Sequence, residues 1–229
     1  MNFPILLPTR KEISHGWRYL AFETVFLGYF LSLASRFFKL PLGSSELNLM
    51  FFCLNFVVAV ILFRDFLQKT VLSAAKRIPA ILITAIAGFF VYQLLTTAVS
   101  IAIVSIEPTF YNVNNENLSV ISRNHYALTA ACTVILVPVA EEVFHRGAIF
   151  GGLYRRSRLA AYLVSTAVFA LVHITGYIGY FEPKTLLLCY LQYIPAGLCL
   201  AASYDLTGCI VTPILIHTAI NAVGILAMR

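Results

Sequence analysis

The sequence predicts an all-α fold, a polytopic membrane helical bundle of about seven transmembrane helices. Three observations carry this. Of 229 residues, 60% are hydrophobic and only 11% charged, with a mean hydropathy of +0.85, a balance that excludes an ordinary soluble domain. Apolar runs long enough to cross a hydrocarbon core of about 30 Å recur along the whole chain. Finally, most basic residues sit at the ends of those runs, where a bilayer tolerates them.

Taken in order, the runs fall near 17–38, 47–63, 78–106, 126–150, 159–180, 185–204 and 208–228. Between the second and third, 64–77 alternates basic and apolar residues, as an interfacial amphipathic helix does. The polar stretch 107–124, with five asparagines, reads as the longest loop. On this plan Arg10, Lys11, Arg18, Arg64, Lys69, Lys76, Arg77, Arg155, Arg156 and Arg158 share one side, and Arg36, Lys39, Arg123, Lys184 and Arg229 the other. The excess places the amino terminus in the cytoplasm. It also accounts for the net charge of +6 without nucleic acid, and the lipid bilayer is the expected partner. The cysteines Cys53, Cys132, Cys189, Cys199 and Cys209 lie mostly in apolar runs without C-x-x-C spacing and read as small buried hydrophobes.

The fourth run contains Glu141, Glu142, His145 and Arg146. A charge near the middle of a membrane helix costs roughly 2.5–3.5 kcal/mol on insertion scales, so such groups face a protein interior and serve a function. Residues four apart share a helix face. Glu142 and Arg146 therefore pair as a structural ion pair, while Glu141, about 100° away, stays available for chemistry. His145 reads as an interfacial residue near the helix end. Two later runs carry Phe169 with His173 and His217 with Asn221, again four apart. At 1.5 Å per residue, Glu141, His173 and His217 lie about 13–21 Å deep, a depth at which three helices converge on one cavity.

The patterns Glu141-Glu142-x-x-x-Arg146, Phe169-x-x-x-His173 and His217-x-x-x-Asn221, in this order and each on a membrane helix, resemble those of the CPBP intramembrane endopeptidases, the family of CAAX-prenyl proteases and bacteriocin-processing or immunity proteins formerly called Abi. Residues 207–217 also resemble the family's approach to its last histidine. The position before the arginine is commonly aromatic in the family and is His145 here. The resemblance divides the chain into amino-terminal transmembrane helices at 1–125 and a catalytic helical core at 126–229, within one integral membrane domain.

The resemblance implies hydrolysis of a peptide bond in a membrane-associated peptide or protein by a glutamate-activated water. Glu141 is then the general base, His173 orients the water, and His217 and Asn221 donate to the oxyanion, with Glu142, Arg146 and Phe169 in support. No cofactor or metal is expected. Two histidines and a glutamate are nonetheless a common zinc set, and zinc stays open although H-E-x-x-H is absent. A proton-coupled transporter would show internal repeats, and none is evident. The other reading is a membrane regulator or bacteriocin-immunity protein that keeps the fold and acts by binding. A compact chain of this kind suits a bacterial cell membrane, and nothing in it selects between a prenylated tail and a peptide leader or pheromone precursor.

Overall fold

The computed structural model describes residues 3–228. Among the described residues eight helices make up the fold: α1 Arg10–Phe37, α2 Ser44–Leu62, α3 Arg64–Ala74, α4 Ile78–Ile106, α5 Val113–Tyr154, α6 Arg158–Thr175, α7 Pro183–Thr207 and α8 Val211–Ala227. All but α3 and α8 are long and apolar enough to span a membrane, and α8 is apolar over 17 residues, at the lower limit for a span. The chain is therefore an integral, multi-pass membrane protein. Outward faces are apolar as lipid requires, with Leu94 on α4 72% exposed and Tyr29 on α1 equally so.

α5 is the axis of the bundle. Its second half packs Val143, Phe144, Ala148, Ile149 and Phe150, all buried, against α1, α3, α6 and α7. Gly197 lets α7 approach α6 closely, since a Cβ there would stand 3.1 Å from the Thr166 Cα. Gly208 closes α7 at φ +61°, a left-handed cap that glycine adopts without steric cost.

The two ends are tied differently. At the end holding the amino-terminal segment, Leu6 donates its N–H to the Gly208 carbonyl at 3.0 Å. Arg77 Nη1 reaches the Pro4 and Thr207 carbonyls, and Arg155 Nη2 the Pro8 carbonyl. Glu12 both completes the capping box of α1 and accepts the Phe66 N–H at 2.9 Å, tying α1 to α3. At the opposite end the ties are between side chains. His125 meets Glu46 at 2.8 Å, Asn112 donates to Gln192 at 2.7 Å, and Lys184 meets Glu107. Hydrogen bonds from Lys184 and Thr109 hold the Glu107 carboxyl below its usual range.

Two expectations are corrected and one is refined. The stretch 107–124 is not a loop beyond Asn112: that residue caps α5 by accepting from the Asn114 and Asn115 N–H groups, and α5 runs on through a kink at His125. Its asparagines are polar because they face a cavity and neighbouring helices, not because they lie in a loop. The segment 64–77 is helical over Arg64–Ala74, but Phe66 and Thr70 are buried beneath it. Cys53 is exposed on α2, whereas the other four cysteines are buried and all five are free.

Candidate active site

Pro138 shapes the helix that carries the acids. It has no N–H to continue the ladder, and the preceding turn, Cys132–Leu136, widens to π-helical hydrogen bonding in which Val137 donates to Cys132. Thr133 would be served next by residue 138, which is proline. Its carbonyl instead accepts the side-chain Nδ2 of Asn221 from α8 at 2.8 Å. A second π-helical stretch covers Val143–Phe150. Widened turns of this kind are frequent at functional sites.

The adjacent acids occupy opposite environments. Glu142 is fully buried. Its Oε2 lies 3.1 Å from Arg146 Nε and its Oε1 2.8 Å from His217 Nδ1. Arg146, equally buried, donates from Nη2 to the Gly197 carbonyl at 3.1 Å and lies over the Phe169 ring, 4.6 Å from its centroid. The expected ion pair is present, and it has a third member that helix spacing alone does not reveal: Glu142 also orients His217.

Glu141, with a side chain 27% exposed, turns away from this cluster into a cavity of about 840 Å³. Its Oε2 lies 3.8 Å from His173 Nε2 and 3.8 Å from His217 Nε2 and accepts no hydrogen bond from the described residues. Both rings are fixed from behind. His173 Nδ1 meets the Phe169 carbonyl at 2.7 Å; a carbonyl only accepts, so Nδ1 carries the proton. The ring also stacks on Tyr193 at 4.1 Å. The Phe169 ring packs against both histidines, so the F-x-x-x-H pattern supplies an acceptor and a wall at once.

The sequence-predicted residues thus meet at one place, with two adjustments. His145 is not interfacial. It is 1% exposed, its Nδ1 meets the Glu141 carbonyl at 2.8 Å, its ring stands edge-on to Phe169, and it lines the cavity. His217, because Nδ1 faces a carboxylate, has a hydrogen to donate from Nε2 only when both ring nitrogens are protonated. Asn221 spends one amide hydrogen on Thr133 and retains a second, since an amide nitrogen carries two. Residues that spacing did not single out are Tyr193, which anchors to Asn114 and Asn112 at 3.0 and 3.3 Å, and Glu23 of α1, which lines the cavity with Glu141. Pro138 was the legible sign of the freed Thr133 carbonyl.

The back-bonded histidines have the orientation that metal-binding histidines also adopt. Among the described residues, however, no group of three or more His, Cys, Asp or Glu side chains is arranged to hold a metal ion.

Residues 123–223, somewhat under half of the chain, match the family model described as Type II CAAX prenyl endopeptidase Rce1-like. Over this segment the chain is similar to CAAX-type endopeptidases. All three motifs, Glu141-Glu142-x-x-x-Arg146, Phe169-x-x-x-His173 and His217-x-x-x-Asn221, lie within it, whereas α1 to α4, and with them Glu23, lie outside. No curated protein and no solved structure matches the chain.

Proposed function

We propose that the protein is an intramembrane endopeptidase in which Glu141 activates water against a peptide bond. The observation that carries this reading is the convergence of Glu141 Oε2 with two histidine Nε2 atoms, each at 3.8 Å, on the wall of a cavity large enough for a peptide segment. Groups 3.8 Å apart are too distant for a direct hydrogen bond and suitably placed for one water between them. Glu141 takes a proton as the water oxygen adds to the carbonyl carbon. His217, held through Nδ1 by Glu142, and the second amide hydrogen of Asn221 donate to the oxyanion. When the C–N bond breaks, Glu141 returns the proton to the leaving amine. His173 orients the water, and Arg146 offsets the buried charge of Glu142. The expected substrate is a membrane-associated peptide or protein.

The reading is tested by comparing membrane peptides from cells carrying wild-type protein or Glu141→Ala. Peptide ends that vanish with Glu141 support hydrolysis, and identical ends at equal protein level oppose it. The same comparison separates this reading from a non-catalytic regulator or bacteriocin-immunity protein, whose binding would survive the substitution. Metal independence is part of the proposal. Purified protein is expected to carry well under one zinc per chain and to stay active under chelation, and activity lost on chelation and restored by zinc would make Glu141, His173 and His217 ligands.

A further inference from the structure

The lining of the cavity extends toward one end of the bundle, taken as its mouth. His145 and Phe169 belong to the lining away from that end. From there its lining runs to Ser44, the first residue of α2, to Asn112, the cap of α5, to Thr175, the last residue of α6, and to Met228 beyond α8. All four lie at the same end of the bundle. Among the described residues, none of 3–22, 63–77, 155–158 or 204–210 lines it; these segments form the opposite, sealed end, closed by the amino-terminal hydrogen bonds to Gly208, Arg77 and Arg155. The sealed end is also where the basic residues of 64–77 and 155–158 stand, and an excess of lysine and arginine in short connections marks the cytoplasmic side.

The chemistry of the lining is equally one-sided. It contains the carboxylates of Glu23 and Glu141 and no lysine or arginine. An endopeptidase that cuts three residues from a carboxyl terminus brings the terminal carboxylate within about 10 Å of the scissile bond, where a permanent cation to receive it is expected; the lining imidazoles His173 and His217 are engaged at the reacting bond itself, and its acids are two carboxylates. The mouth offers instead the amides of Asn112, Asn114, Asn115, Asn117 and Gln192, groups that both donate and accept and so complement a peptide backbone without requiring charge.

We infer that the chamber is loaded from the non-cytoplasmic face, and that its substrate is an internal stretch of an extracytoplasmic or outer-leaflet peptide, not a free carboxyl-terminal tail presented from the cytoplasm. This rests on the hydrolase reading above and on the orientation given by charge.

The test is sided thiol labelling in intact cells or spheroplasts. The full chain carries Cys53→Ser to remove the exposed native thiol, plus one of three probes: Asn115→Cys at the mouth, Ser100→Cys on the chamber wall, or Ala75→Cys at the sealed end. Asn115→Cys and Ser100→Cys are expected to react with a membrane-impermeant maleimide as fully before permeabilisation as after it, and Ala75→Cys only after it. Reaction of Ser100→Cys only after permeabilisation overturns the inference, and Thr96→Cys on the same wall replaces it if that variant does not accumulate. Labelling does not depend on turnover. Adding Glu141→Gln leaves the pattern unchanged, so normal cleavage by that variant would remove the hydrolase reading while access from outside stood. In wild-type cells, the peptide ends lost with Glu141 should map to internal extracytoplasmic positions. Ends confined to cytoplasmic carboxyl-terminal tails overturn the substrate class.

Discussion

Glu141 and Glu142 are neighbours in sequence, identical in chemistry, and on opposite sides of a boundary. Glu142 faces a sealed region where Arg146, His217, Phe169 and the Gly197 carbonyl occupy the space around it. Glu141 faces the chamber, where its Oε2 accepts nothing from the described residues and two histidines stand 3.8 Å away. A helical step of about 100° is enough to separate a structural carboxylate from the one proposed as the base. Burying a charge requires partners that neutralise it, whereas a general base must keep an oxygen free for a proton.

The sealed region should break first by stability. Arg146→Ala removes the ion pair, the bond to Gly197 and the contact with Phe169, and strands much of the Glu142 charge. Breaking a buried pair costs about 3–5 kcal/mol, so thermal unfolding in detergent should show a large fall in midpoint. Glu141→Gln, on the open side, should leave that midpoint unchanged. Equal losses from both substitutions would erase the distinction between the two sides.

Asn221 tests the boundary itself, since one amide hydrogen holds Thr133 and the other is assigned to the oxyanion. Loss of one such donor typically lowers kcat by about 10²–10³. Asn221→Ala should do so with KM changed only a few-fold, as an interaction made in the transition state requires. A rise in KM with kcat intact would make α8 a docking wall.

The smallest effect is expected at Tyr193. Tyr193→Phe keeps the stack on His173 and loses the bonds to Asn112 and Asn114, each worth about 0.5–1.5 kcal/mol net. A modest loss of stability with kcat within a few-fold is the expected outcome. A collapse of kcat would place the Tyr193 hydroxyl in the chemistry.

These contrasts also show what was legible in the sequence. The all-α membrane class follows from run length and apolarity, which a bilayer imposes directly. The pairing of Glu142 with Arg146, and the convergence of three motifs, follow from helical spacing and the cost of charge in hydrocarbon. Contacts between distant helices do not follow: no spacing rule joins His217 to Glu142, Asn221 to Thr133 or Tyr193 to His173, because each depends on how α5, α7 and α8 pack. The helical stretch 113–124 was obscured because asparagines facing a cavity have the same composition as asparagines in a loop. His145 was placed at an interface because proximity to a helix end in sequence ignores the amino-terminal segment and α3, which close over that end in the fold.

The central claim is that Glu141, and not the integrity of its surroundings, provides the base. Its most direct test is the hydrolysis rate of reconstituted Glu141→Gln on a peptide identified from the wild-type cleavage ends, with unfolding of the same sample measured alongside. Loss of a general base typically costs about 10²–10⁴-fold in rate. The account predicts a fall of at least that order in a protein that unfolds at the wild-type midpoint, and hydrolysis at the wild-type rate by the folded variant would contradict it.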